Sequence, residues 1–144
     1  MEVIRLVEAK ILSVSEKILE VLEDGSSFLE FEAQLKKELD QLGVDLLKVV
    51  LESLDQQQRN SSTRKQTWTI VRKNDRKEIL TPFGLLSYMR SYYQHKESKE
   101  YRYLVDEKAG ITPHSRIGSN MKAELAAACG EMSYEQATSQ LSRY

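Results

Sequence analysis

Eight cations crowd one stretch of this chain: Arg72, Lys73, Arg76, Lys77, Arg90, Lys96, Lys99 and Arg102. The first four flank one expected turn, and the others belong to an adjoining hairpin. Tyr88, Tyr92, Tyr101 and Tyr103 are interleaved with them. Cations at this density suit phosphate oxygens, and tyrosine rings can stack on bases or sugars. The same residues also describe a solvated sheet face whose tyrosines pack at their ring ends, and both readings stay open here.

Catalytic constellations are missing from the pattern. His95 and His114 stand apart, with no acid or cysteine at ligand spacing. No Cys-x-x-Cys, His-Glu-x-x-His or glycine-rich phosphate loop occurs. Asp106 and Glu107 are adjacent, so their side chains diverge; they read as a turn or helix start. No metal, cofactor or enzymatic activity is expected. Cys129 lies in an alanine-rich run and reads as a small buried apolar residue. A single cysteine excludes an internal disulfide and suits a reducing cytoplasm, with nucleoid association expected for a DNA binder. No apolar run approaches the ~20 residues of a membrane span, so no membrane partner is expected.

The elements that must position the cations read as α+β: a long N-terminal helical hairpin, a small antiparallel β-meander and a C-terminal pair resembling helix-turn-helix. The hairpin covers 1–58. Ile4, Val7, Ile11, Val14, Ile18 and Val21 form a heptad seam in the first helix. Ser27 and Glu30 have capping-box spacing for the second helix. Its apolar period, from Phe28 to Leu54, continues through Gly43, a residue that costs a helix about 1 kcal/mol relative to Ala. The seam is either internal core or a dimerisation face. Residues 59–66 are polar and aperiodic, a linker. The meander, 67–104, reads as four strands: Thr67–Lys73, a turn at Asn74-Asp75, Lys77–Thr81, a Pro82–Gly84 turn, Leu85–Gln94, a polar tip at 96–99, and Glu100–Leu104. On the third strand Leu86, Tyr88, Arg90 and Tyr92 share one face.

Within 105–144, Val105–Ile117 reads as irregular. Ser119 opens a helix to about Cys129, Gly130 to Met132 form a tight connection, and Ser133 with Gln136 caps a last helix. Lys122–Leu141 thus has helix-turn-helix spacing, which frees Tyr134, Gln136, Gln140 and Arg143 to read base edges in a major groove. An ordinary αα-corner accounts for the same Ala, Gly and Leu residues.

The net charge of −1 hides an asymmetry. Residues 1–58 carry 6 Lys and Arg against 13 Asp and Glu, a balance of −7, whereas 59–102 carry 11 against 4, a balance of +7. Either the two segments divide labour, or the acidic helices partly cover the basic sheet.

The motifs, in order, are Leu80-Thr81, Phe83-Gly84, Arg90-Ser91-Tyr92-Tyr93, Glu100-Tyr101, Leu104-Val105-Asp106-Glu107 and Ser133-Tyr134. In this order and spacing, from about Phe28 to the C-terminus, the chain resembles the N-terminal region of the ISLre-type family of bacterial insertion-sequence transposases. The resemblance implies recognition of double-stranded DNA at the element's terminal repeats. It also implies strand transfer by a metal-dependent Asp-Asp-Glu domain that is not among these residues. The expected function is therefore DNA binding without the catalytic domain, with self-association through the N-terminal helices. The rival is a protein-interaction or oligomerisation module with no nucleic acid partner, which the heptads favour.

Overall fold

The computed structural model describes residues 2–131. Helix α1 (Glu2–Glu23) and helix α2 (Phe28–Asn60) form an antiparallel hairpin, closed by a turn of 3-10 helix at Gly25–Ser27. Lys17 Nζ meets Glu38 Oε1 at 2.7 Å, and Ser13 Oγ donates to the same oxygen at 2.9 Å. Of the heptad seam, Val7, Val14 and Val21 are half-buried, while Ile4, Ile11 and Ile18 remain exposed. The capping box expected at Ser27 does not form. Ser27 stands at the N-cap without a side-chain cap bond, and its Oγ donates to the Asp24 carbonyl instead. Asp24 does the capping, accepting from the Ser26 amide at 3.0 Å. The three-residue turn shifts the local geometry, so Glu30 pairs along the helix with Gln34.

The segment expected as a linker is helical. Helix α2 runs to Asn60, and helix α3 (Ser62–Thr67) follows with Ser61 as its cap. The aperiodic polarity misleads because Arg64 is buried here: its guanidinium bonds the carbonyls of Arg59 and Trp68 and lies 5.7 Å from the Tyr93 ring centre.

The sheet has three antiparallel strands in sequence order: β1 (Trp68–Thr81), β2 (Gly84–His95) and β3 (Tyr101–Arg102). No turn occurs at Asn74-Asp75, so the two expected strands are one. The extra residues are absorbed as register shifts, between Ile70 and Arg72 and between Arg72 and Asp75. Asp75 holds this bulged stretch together, accepting from Arg72 Nε at 2.9 Å. The expected Pro82–Gly84 turn is present. Thr81 Oγ1 donates to the Gly84 carbonyl at 2.8 Å and accepts from the Phe83 amide at 3.2 Å, while Gly84 takes φ +130°. Trp68 is half-buried, as its strand position suggests, with its ring edge-on to His95 at 4.8 Å.

The expected fourth strand shrinks to two residues, because the chain turns at Tyr103 into helix α4 (Leu104–Ala109). Gly110, at φ +73°, ends that helix. The following loop returns beside β1: the Leu80 amide donates to the Arg116 carbonyl at 2.8 Å, and Gly118 donates to the Leu80 carbonyl at 2.9 Å. Helix α5 (Ser119–Glu131) then continues through Gly130, in place of the expected tight connection. Cys129 is exposed rather than buried, because α5 turns Met121 into the core and leaves most of its alanine face in solvent. Leu51, Ile79, Leu86 and Tyr88 form the core, joined by Val44, Leu47 and Ile111.

Helix α2 also covers a strand edge. Because β3 pairs only with Tyr93 and Gln94, the earlier part of β2 has no strand on that side. There the Ser91 amide and hydroxyl donate to the Asp55 carboxylate at 2.9 and 2.8 Å, and the Met89 amide donates to Glu52 at 3.4 Å. Gly43 brings the same helix onto the Pro82–Gly84 turn: a Cβ there would fall inside contact distance of the Phe83 ring. Replacing Gly43 with Ala should gain about 1 kcal/mol of helix propensity only where that ring is absent. We therefore expect Gly43→Ala to stabilise a Phe83→Ala background by about 1 kcal/mol and to forfeit that gain in the parent. Urea denaturation of the four chains measures the coupling, and equal effects in both backgrounds would rule out this close approach of helix and ring.

Candidate nucleic-acid interface

A groove of about 1010 Å³ opens where the sheet meets α4 and the loop that returns to β1. β1 supplies Arg76, Lys77 and Glu78; β2 supplies Arg90 and Tyr92; β3 supplies Tyr101 and Arg102. Tyr103, Asp106 and Glu107 come from the start of α4, and His114 and Arg116 from the returning loop. Five Lys and Arg residues thus line the groove against three carboxylates.

The groove is built on a buried carboxylate. Asp106 is 3% exposed. Tyr88 Oη donates to its Oδ1 at 2.6 Å, Arg90 Nη1 bonds its Oδ2, and Lys77 Nζ lies 3.9 Å away. Lys77 also donates to the Thr112 carbonyl at 3.4 Å. Burial pulls the Lys77 ammonium below the ordinary lysine range, and the Asp106 carboxylate opposes that pull. Burial, aided by the bond to Asp106, pushes the Tyr88 phenol up.

Above this network the rings are stacked in series. Arg90 lies 3.5 Å from the Tyr103 ring centre. Tyr103 packs on Tyr92 at 4.6 Å, and Tyr92 stacks on Tyr101 at 5.3 Å with planes 15° apart. Arg72 sits 4.5 Å from the Tyr92 ring. The Tyr103 hydroxyl donates to Asp75 at 2.9 Å, and burial raises its pKa chiefly, with the Asp75 carboxylate adding to the effect. The hydrogen bond from Arg72 holds the Asp75 carboxyl below its usual range.

The structure divides the eight cations expected to meet phosphate. Arg76, Lys77, Arg90 and Arg102 reach the groove, but Lys77 and Arg90 are internal, committed to Asp106. Arg76 pairs with Glu78 at 2.5 Å, and Arg102 with Glu100 at 3.0 Å and Glu107 at 3.6 Å. Arg72 pairs with Asp75 at 2.8 Å beside the rings. Lys73 borders a separate groove with Asp45, Glu52 and Asp55. Lys96 and Lys99 lie at the hairpin tip, where Lys96 Nζ donates to the Lys65 carbonyl at 2.5 Å. Tyr134, Gln136, Gln140 and Arg143 lie outside the described residues, as does the helix-turn-helix they belong to.

Three contributors carry little signal in the sequence. Asp106 reads there only as a turn or helix start, although the apolar Leu104 and Val105 beside it point to burial. Asp75 has the composition of a turn residue. Arg116 has no local signal, since it reaches the groove only because the loop returns to β1.

The fold and site together define an α+β module with an open groove of cations and stacked tyrosines. The chain belongs to the uncharacterised protein family UPF0236, whose model matches residues 21–144. It is 34% identical over 131 residues to the UPF0236 protein TTE2489 of Caldanaerobacter subterraneus subsp. tengcongensis, a match covering 88% of this chain and 28% of that relative. A second relative from that organism, whose name joins eleven loci, is 34% identical over 119 residues, covering 83% of this chain and 25% of its own length. The chain spans about a quarter of the length of these curated relatives. No solved structure matches it. No helix among the described residues is long and apolar enough to cross a membrane.

Tyr88, Tyr93 and Tyr103 hold their protons more tightly in the fold than a free tyrosine does, each chiefly through burial. In the unfolded chain a tyrosine titrates near ~10. Their stabilising contribution is therefore complete below that pH and is lost as pH rises through the higher folded values. Tyrosinate absorbance should rise in two phases, the later one coinciding with loss of the circular dichroism signal. Tyr88→Phe should shrink the later phase alone. Titration of every tyrosine in one phase with the fold intact would contradict the burial described.

Proposed function

We propose that this chain is a DNA-binding module, the N-terminal part of an ISLre-type insertion-sequence transposase that recognises DNA at the element's ends. The observation that carries the proposal is the groove, where cations and stacked tyrosines from β1, β2, β3 and the α4 region converge. Phosphates meet the exposed Arg76, Arg102 and Arg116 at its rim, while Arg90 and Lys77 hold the floor. The ordered motifs from Leu80 to Glu107 support the lineage, and Arg90, Tyr92, Tyr101, Asp106 and Glu107 among them line this groove. Copy number supports it too: one relative's name covers eleven loci of a single genome, as expected of a gene that moves.

A second reading has its own observation. Ile4, Ile11, Ile18 and Leu22 form an exposed apolar stripe on α1 beside the face that packs on α2. Such a stripe at heptad spacing suits a second copy of the chain. Self-association would then present two grooves, and it is compatible with DNA binding.

Changing Arg76, Arg102 and Arg116 together to Gln should weaken binding to all duplexes alike. It should also reduce the salt slope by about 0.9 for each phosphate that is no longer neutralised. Lys77→Ala should instead lower stability, because it removes a buried partner of Asp106. Fluorescence anisotropy of labelled duplexes at low and moderate salt, paired with thermal unfolding, separates these outcomes. If the parent chain binds neither duplex nor single-stranded DNA at low salt, where attraction is strongest, the DNA reading is wrong.

A further inference from the structure

We propose that the groove takes an unpaired stretch of DNA strand, with one base stacked on the outward face of Tyr101. This rests on the DNA-binding reading and narrows it, from duplex binding in general to a single strand at this site.

The ring series points to an unpaired base. Tyr103 is pinned through its hydroxyl to Asp75 and through its ring to Arg90, and Tyr92 is held between Tyr103, Tyr101 and Arg72. These interactions fix the inner rings before any ligand arrives. Tyr101 ends the series: it is 52% exposed, and Tyr92 is its one ring partner among the described residues. An exposed aromatic ring backed by a fixed series of rings in a cationic groove is a stacking platform. In a duplex, the faces of the bases are already covered by their neighbours along the helix. Away from the ends of a duplex, only an unpaired base, or one turned out of the stack, has a face to offer Tyr101.

Shape and charge agree. A groove of about 1010 Å³ is at the upper end of small-molecule sites, which run to roughly 1,000 Å³, and it has room for a few nucleotides of a single strand. Arg102 adjoins the platform in sequence, and Arg76 and Arg116 line the same groove, where the strand's phosphates would run. The exposed pairs Arg76–Glu78 and Arg102–Glu107 are weakly held in solvent, so a phosphate can displace the carboxylates.

The test uses the whole chain with a fluorescein-labelled oligothymidylate and a blunt duplex of equal length, at one low salt concentration. The single strand should bind more tightly than the duplex. Tyr101→Ala should weaken single-strand binding about five- to hundredfold, the range for removal of one base–ring stack, with little effect on the duplex. Tyr101→Trp should restore it. Thermal unfolding of Tyr101→Ala should match the parent, which excludes misfolding as the cause. Duplex binding at least as tight as single-strand binding, or equal weakening on both, overturns the proposal and leaves the DNA reading standing. If neither ligand binds, the DNA reading itself fails, and the proposal with it.

Discussion

The Asp106 carboxylate is the constraint on which the rest of the groove depends. Removing a charge from water is expensive, and a buried carboxylate persists only where counter-charges and donors surround it. Here they come from two strands: Lys77 on β1, and Tyr88 and Arg90 on β2. The arrangement fixes α4 against the sheet. It thereby fixes Tyr103, the residue at the N-cap of α4, above Arg90. Arg90 thus serves twice, neutralising Asp106 and supporting the first ring of the series. Truncating Asp106 would leave two cations buried without their anion, a situation that costs roughly 3–5 kcal/mol.

A second buried carboxylate ties the helical hairpin to the same sheet. Asp55 is 3% exposed and takes both the amide and the hydroxyl of Ser91, while Glu52, one turn earlier, takes the Met89 amide. Unpaired strand edges invite pairing with another chain, and covering the edge with a helix is one established remedy. Here the cover is chemical as well as steric, since side-chain acceptors on α2 replace the carbonyls of a missing strand. Arg59 approaches Asp55 at 3.7 Å, and Arg64 holds the far end of the junction through main-chain carbonyls.

Periodicity made the helical hairpin and the central strand legible. Alternation along β2 put Tyr88 and Arg90 on one face, and both reach Asp106. The Pro82–Gly84 turn was equally plain from its residue types. What stayed illegible depends on side chains from distant positions. Asn74-Asp75 has turn composition, but Arg72 and Tyr103 engage Asp75 and keep the strand extended through its bulges. Residues 59–66 have linker composition, yet buried Arg64 makes them a helical junction. Gly43 has the look of a tolerated defect in α2, and its reason is the Phe83 ring, far away in sequence. The groove was legible as a set of cations and tyrosines. Which of them are structural was not, because that depends on the fold of the loop from Gly110 to Gly118.

The charge asymmetry resolves in favour of an uncovered sheet, whose own carboxylates and those of α4 pair only part of its positive charge. Among the described residues, the ion pairs of the helical hairpin stay within it: Lys17 with Glu38, Lys36 with Asp40, Arg59 with Asp55. Those of the sheet use carboxylates of the sheet and of α4: Asp75, Glu78, Glu100, Asp106 and Glu107. The acidic helices therefore do not cover the cations of the groove. Those cations fall into two energetic classes. Lys77 and Arg90 are buried with Asp106, and withdrawing either leaves an uncompensated charge, so no ligand can recruit them without undoing the floor. Arg76 and Arg102 are about half exposed, with partners that solvent already screens. Under the proposed DNA binding, an incoming polyanion would take over those two, and selection between ligands would act in this outer class. The ring series rests on the inner class and faces the outer one, so its geometry is set before any ligand binds.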